Sequence, residues 1–187
     1  MQAWRRFAVL TWATLGVWAG DTGTLAFGVQ MPGAAFKAAG SSPMATAGIT
    51  LNVAESGDFV LRAGAHGVPS ASKDLQEGGV PVHRRFQGWF ADLDVIWRFR
   101  GQAQAPGSLY AVAGLRHGTL TATSDWGGQH REETSRSLSP KGGLGVQLGS
   151  RMALEADMAW LEGEAVGPMQ GWKERGPVAS FRLHMRF

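Results

Sequence analysis

The sequence predicts an all-β fold, an eight-stranded antiparallel up-and-down transmembrane β-barrel with its apolar face outward and its charges inward. Three observations carry this. Segments along the whole chain alternate apolar and polar residues with a period of two, as strands with two unlike faces do. The links between them alternate short and long. One face gathers the large apolar side chains, while the other gathers charge and glycine.

The segments come in this order. GTLAFGVQM (23–31) puts Leu25, Phe27, Val29 and Met31 on one face. ATAGITLNVA (45–54) sets Ala45, Ala47, Ile49, Leu51 and Val53 against Thr46, Gly48, Thr50 and Asn52. DFVLRAGAHG (58–67) opposes Phe59, Leu61, Ala63 and Ala65 to Asp58, Arg62 and His66. WFADLDVIWRFR (89–100) is the clearest case, with Trp89, Leu93, Val95, Trp97 and Phe99 opposite Asp92, Asp94, Arg98 and Arg100. SLYAVAGLRHGTLTAT (108–123) exposes Leu109, Ala111, Ala113 and Leu115 and turns Tyr110, Gly114, Arg116 and Gly118 inward. GGLGVQLG (142–149) sets Leu144, Val146 and Leu148 against glycines and Gln147. MALEADMAW (152–160) opposes Leu154, Met158 and Trp160 to Glu155 and Asp157. GPVASFRLHMRF (176–187) ends on Phe181, Leu183, Met185 and Phe187 alternating with Arg182, His184 and Arg186.

The links after segments two, four and six are short: ESG, GQAQAPG and the residues around Ser150. Those after one, three, five and seven are long and polar: PGAAFKAAGSSP, VPSASKDLQEGGVPVHRR, SDWGGQHREETSRSLSPK and LEGEAVGPMQGWKER. An up-and-down barrel sorts its links to two ends, and here every long link falls at the same end. Short periplasmic turns and long extracellular loops are the layout of a membrane barrel.

A soluble lipocalin-type barrel is the rival, and it needs an apolar lumen under a polar outside. The charged face holds Asp58, Arg62, Asp92, Asp94, Arg98, Arg116, Glu155, Asp157, Arg182 and Arg186, which could not line a dry cavity. Glycine is also too frequent on that face for a solvated surface. Trp89 and Phe99 are ten residues apart; at ~3.3 Å per residue and about 40° of tilt they span roughly 25 Å, the height of an apolar membrane band. Trp89, Trp97, Phe99, Trp160 and Phe187 form the expected aromatic girdle, with Trp160 at the outer rim and Phe187 at the inner.

Composition narrows the function classes. MQAWRRFAVLTWATLGVWAG has a positive start at Arg5 and Arg6, an apolar stretch from Phe7 to Ala19 and small residues before Gly20, so residues 1–19 read as a cleaved signal and 20–187 as the barrel. Without Arg5 and Arg6 the Lys+Arg count falls from 18 to 16 against 15 Asp+Glu, so the mature chain is near neutral. No clustered basic stripe suggests a nucleic-acid partner. With 0 cysteines there are no disulfides or thiolate metal sites. The histidines lack the close spacing of metal ligands, and nothing indicates a cofactor.

Over residues 20–187 the chain resembles the small outer-membrane β-barrels of Gram-negative bacteria, the OmpA/OmpX and opacity-protein type. The specific part is the terminal FRLHMRF, because that family ends on an aromatic residue with apolar residues at alternate positions before it. The resemblance implies that Phe181, Leu183, Met185 and Phe187 are read by the barrel-assembly machinery during insertion. It further implies an outer-membrane location among lipid and lipopolysaccharide. Two departures are the scarcity of Tyr, whose rim positions Trp and Phe take, and the absence of a peptidoglycan-binding domain after the barrel.

An eight-stranded barrel is barely wide enough for its own side chains. Arg62, Asp92, Asp94, Arg98, Arg116, Glu155, Asp157, Arg182 and His184 are therefore expected to pair across a plugged lumen. The favoured function is surface interaction or membrane integrity through the long loops, where Trp126 and Trp172 could meet an extracellular ligand. A lipid A-modifying enzyme is one alternative, with His66, His117, Thr119 and Asp125 near the outer rim as its candidates. The spacing supplies no nucleophile–base–orienter set, so catalysis is not expected. His83 and His130 read as loop residues. A narrow pore is the other alternative.

Overall fold

The computed structural model describes residues 23–32, 43–100, 105–169 and 171–187. The expected signal, and all but the ends of the link at 32–43, lie outside them. Eight strands are present: β1 (Gly23–Pro32), β2 (Met44–Ser56), β3 (Phe59–Glu77), β4 (Val80–Arg100), β5 (Leu109–Trp126), β6 (Gln129–Gln147), β7 (Met152–Val166) and β8 (Gly171–Arg186). They form one closed barrel in sequence order, every pair antiparallel, with β8 returning to β1 from Thr24–Arg186 to Pro32–Val178. This is the predicted up-and-down transmembrane barrel.

Each strand covers its predicted segment to within two residues, but three of the four long links are not loops. The residues expected as a loop at 68–85 continue β3 to Glu77 and resume β4 at Val80, and those at 124–141 continue β5 to Trp126 and resume β6 at Gln129. At 161–175 strand β7 likewise runs to Val166 and β8 starts at Gly171, so Trp126 and Trp172 fall in strands. For the first two of these links the physical reason is a glycine doublet in each. Gly78 and Gly79 have φ of 59° and 83°, and Gly127 and Gly128 have 50° and 78°. Two successive residues with positive φ make the tight turn whose twist matches a hairpin.

The alternation of faces runs through these extensions, but what the faces carry inverts at the rim. Below Trp89, β4 turns Asp92 and Asp94 inward and Leu93, Val95 and Trp97 outward; above it, Val82 and Phe86 point inward and Arg85 and Gln87 outward. On β5, Leu120 and Ala122 are buried above the same level. They join Phe86, Phe90, Leu161, Ala165 and Val178 in an apolar cluster inside the outer end of the barrel. Where water replaces lipid outside, the ordinary preference for apolar interiors returns. From Trp89 to Val80 is nine residues, which at ~3.3 Å each and about 40° of tilt carries β4 roughly 23 Å beyond the rim.

Outside the membrane level the barrel also opens. β6 pairs with β7 only from Gln147–Ala153 to Lys141–Ala159, and the last β2–β3 pair is Ala47–Gly67. The β3–β4, β4–β5 and β5–β6 ladders continue to the turns. A four-stranded antiparallel sheet thus stands clear of the rim, with the outer half of β6, Gln129–Pro140, along one edge.

Candidate functional site

Register alone assembles the middle of the lumen. Arg62 on β3 faces Asp94 on β4, Asp92 on β4 faces Arg116 on β5, and Glu155 on β7 faces Arg182 on β8. Opposite charges at directly opposed positions favour one register, since a slip of one residue would turn them all into lipid. Small residues make the room. A Cβ on Gly28 of β1 would press on the Phe181 carbonyl and stand 2.6 Å from Arg182 Cγ, so the guanidinium stem lies flat across β1 there.

The pairs then link into one layer. Arg116 donates to both oxygens of Asp92, Nε to Oδ1 at 2.8 Å and Nη2 to Oδ2 at 2.9 Å. Arg62 Nη2 donates to Asp94 Oδ2 at 2.8 Å and to Glu155 Oε2 at 2.8 Å. Arg182 donates from Nη1 to Asp92 Oδ2 at 3.1 Å, from Nη2 to Glu155 Oε1 at 3.1 Å, and from Nη2 to Asp157 as well. Lys141 Nζ donates to Asp92 Oδ2 at 3.0 Å and Asp94 Oδ2 at 2.7 Å. Among the described residues, the layer therefore sets Arg62, Arg116, Lys141 and Arg182 against Asp92, Asp94, Glu155 and Asp157, with no net charge. Such a layer adds little net stability over an apolar filling, but each member is costly to remove because its partners stay buried.

Apolar side chains close the layer on both sides. Phe90 covers it outward, its ring centroid 5.8 Å from the Arg116 guanidinium carbon, with the outer cluster above. On the periplasmic side lie Val60, Ile96, Tyr110, Val112 and Ala153.

Most residues of the charged face are in this layer; three are not. Arg98 lies at the periplasmic end, where Nη1 donates to Glu55 Oε1 at 2.6 Å. Asp58 is exposed in the β2–β3 turn, and Arg186 is half-buried one turn of register below the layer. His184 is buried, Nε2 3.7 Å from Glu155 Oε2. Sequence reasoning missed Lys141 by assigning it to a loop, although it shares the parity of Gly143, Gly145 and Gln147. It also missed Arg84, which is fully buried in the outer extension and bridges Ser124 and Glu77.

The expected girdle residues Trp89, Trp97, Phe99, Trp160 and Phe187 all stand outside the barrel, between 42% and 53% exposed. Phe59 stacks on Trp97 at the inner level, with centroids 6.5 Å apart. Between the rims the outside is apolar on every side, including Phe27, Leu61, Leu93, Leu115, Leu144, Leu154 and Phe181. A contiguous apolar belt of this kind is what water-soluble monomers rarely expose. Phe181, Met185 and Phe187 lie on this outer face of the last strand.

The candidate catalytic histidines do not share a site. His66 is buried inside and accepts from Arg182 Nη1 through Nε2 at 2.9 Å. His117 stands outside, its ring 5.5 Å from that of Trp89, and Thr119 is on the same outer face. The wall of the barrel separates the two histidines. Asp125 is engaged with His130, Oδ1 to Nδ1 at 2.6 Å, and His83 with Asp74 at 2.7 Å, both on the exposed sheet. Among the described residues no group of three or more His, Asp or Glu is arranged to hold a metal.

No family model matches the chain, and no curated protein matches it. Solved structures do. Ail, the attachment invasion locus protein of Yersinia pestis, solved with the heparin analogue sucrose octasulfate, matches at 12% identity and a TM-score of 0.53, covering 90% of this chain and 100% of that one. A second structure of Ail matches at 12% identity with a TM-score of 0.50 over the same shares. The N-terminal β-barrel domain of Pseudomonas aeruginosa OprF matches at 14% identity and 0.49, covering 89% and 98%. Identities this low bear on the fold alone. With the strand order, the apolar belt and the ionic lumen, the two Ail structures identify the fold of this chain as that of the small eight-stranded outer-membrane β-barrel proteins.

Proposed function

We propose that this protein is an integral outer-membrane barrel that neither catalyses nor conducts, and that it acts by presenting its β3–β6 sheet to an extracellular macromolecule. The observation that carries the reading is the outer half of β6. Gln129–Pro140 is paired with β5 on one side and, among the described residues, with no strand on the other. A free strand edge offers amide and carbonyl groups to an added strand, with side chains setting register and choice of partner. Here His130, Glu132, Thr134 and Arg136 line one face of the edge, a mixed-charge pattern that discourages indiscriminate edge pairing.

Of the adjacent Glu132 and Glu133, one N–H faces β5 and the other the open edge. Proline at the edge-facing position removes that donor and spares the ladder. Cells displaying the wild-type chain should attach to immobilised host or matrix proteins, and cells displaying the edge-proline variant should not. Equal attachment by the two would refute the reading.

The closed lumen is supported by the neutral ionic layer between two apolar ones. Planar bilayers should record no discrete conductance steps, and steps would favour the narrow pore instead. The separation of His66 from His117 supports a non-enzymatic barrel, so lipid A mass should be unchanged on expression. Export through a cleaved segment 1–19 belongs to the same reading, and the membrane-extracted protein should then begin at Gly20. So does engagement of the barrel-assembly machinery by Phe181, Leu183, Met185 and Phe187, and replacing Phe187 with a polar residue should slow insertion.

A further inference from the structure

The charges at the two ends of the barrel differ in kind. The protruding sheet interleaves both signs, whereas at the periplasmic mouth, where Glu55 and Asp58 stand, one cavity has a lining of one sign. A cavity of about 110 Å³ opens there, with Val60, Ile96 and Tyr110 in its wall. Four arginines line it, Arg62, Arg98, Arg151 and Arg186, together with His184, and no Asp or Glu does. Arg62 is committed to Asp94 and Glu155 inside the neutral layer and Arg98 to Glu55 at the rim, while Arg186 is engaged as well and acts on the same Glu55 charge. Arg151 is exposed in the β6–β7 turn, where its carbonyl accepts from Arg186 N at 2.7 Å, and that bond sets the two residues side by side. Thr24, Thr50 and Asn52 add short polar side chains to the wall.

We propose that this cavity is a binding site for a compact oxyanion of the phosphate class, held by Arg151 and Arg186 with Arg98 behind them. Guanidinium groups match tetrahedral and planar oxyanions with paired N–H donors, and such charge-assisted bonds are the strong ones. The volume suits the ligand: at roughly 30 Å³ of liquid volume per water, the cavity has room for about three or four waters, comparable to a five-atom anion. Open to the periplasm and reaching inward to Arg62 and His184 beside the ionic layer, which fills the lumen beyond, it receives an anion and passes none on. The site is independent of the sheet edge on the opposite side of the membrane.

The probe is inorganic phosphate, titrated calorimetrically into the full folded chain in a zwitterionic detergent at low ionic strength. Saturable binding of one phosphate is expected, unmatched by chloride at equal ionic strength. Arg151→Gln and Arg186→Gln should each weaken it by about tenfold, the loss of one charge-assisted contact worth ~1.4 kcal/mol. Arg136→Gln, on the opposite side of the membrane, should leave it unchanged. Arg151 sits in an exposed turn, so that variant keeps the barrel, and heat-dependent gel migration verifies the fold of each. Absence of saturable binding, or equal binding by Arg151→Gln and Arg186→Gln in folded protein, overturns the proposal. The source of the anion is read by repeating the titration in nanodiscs. Displacement of phosphate by discs containing phosphatidylglycerol assigns the site to a lipid headgroup, and undiminished binding assigns it to a soluble phosphate.

Discussion

Replacing Arg182 with methionine tests the ionic layer where its connections are densest. The guanidinium reaches Asp92, Glu155 and Asp157 together. After its removal Glu155 keeps Arg62 at 2.8 Å, and Asp92 keeps Arg116 at 2.8 Å and Lys141 at 3.0 Å. Asp157 keeps, among the described residues, only Arg116, at 3.3 Å. The layer passes from neutral to one excess negative charge, located chiefly on Asp157, in a lumen that water cannot fill. Removing one partner of such a buried group costs about 3–5 kcal/mol, which is two to almost four orders of magnitude in the unfolding equilibrium. Restoring neutrality with Asp157→Asn in the same chain should recover a large part of that loss, a coupling that a double-mutant cycle measures. The assay is urea unfolding of the barrel in lipid vesicles, followed by tryptophan fluorescence and by gel migration without heating. A loss under 1 kcal/mol for Arg182→Met, or no recovery in the double variant, would refute the reasoning.

Other perturbations separate the parts of the molecule by the same assay. Gly28→Ala inserts a Cβ into the β1–β8 seam against Arg182 Cγ and should cost about 1–3 kcal/mol, whereas Gly142→Ala, whose nearest atom would be 4.0 Å away, should be nearly neutral. Leu93→Arg, on the lipid side and 51% exposed, should cost about 2–4 kcal/mol in a bilayer. Arg136→Ala, on the exposed sheet, should change stability by no more than about 0.5 kcal/mol. Glu162 is held below the ordinary carboxylate range by its hydrogen bond to Lys173, 2.8 Å away. A folded-state value below the unfolded one makes the pair favourable near neutrality. Its contribution should fade as pH drops through the carboxylate range, an effect read as a pH-dependent difference between wild type and Glu162→Gln.

Strand number, up-and-down order and the inside-out pattern were legible in the sequence, because the membrane enforces a strict two-residue alternation from Leu25 to Phe187. Facing followed from parity, even in 108–123, where small residues such as Ala111 and Gly114 give weak contrast. The extensions were misjudged for a definite reason. Above Trp89 the outward residues of β4 are Arg85 and Gln87, so a search for outward apolar side chains stops there while the strand does not. The doublets Gly78-Gly79 and Gly127-Gly128 were the available signal, since glycine pairs between alternating runs mark tight hairpins. Lys141 was lost with them. The unpaired edge of β6 had no local signal, because it depends on where β7 stops following it, and that is a property of two strands together. Arg98 was placed with the lumen charges by parity alone; depth along the strand put it beside Glu55.

The central claim is that the outward face of β4 meets lipid below Trp89 and water above it. The chain has 0 cysteines, so single cysteines can be placed at outward positions 93 and 95, at outward positions 85 and 87, and at inward position 96, and spin-labelled in bilayers. Power saturation should find positions 93 and 95 accessible to dissolved oxygen and shielded from a water-soluble nickel reagent, positions 85 and 87 the reverse, and position 96 shielded from both. Nickel access at 93 and 95, or oxygen-rich lipid contact at 96, would contradict the account.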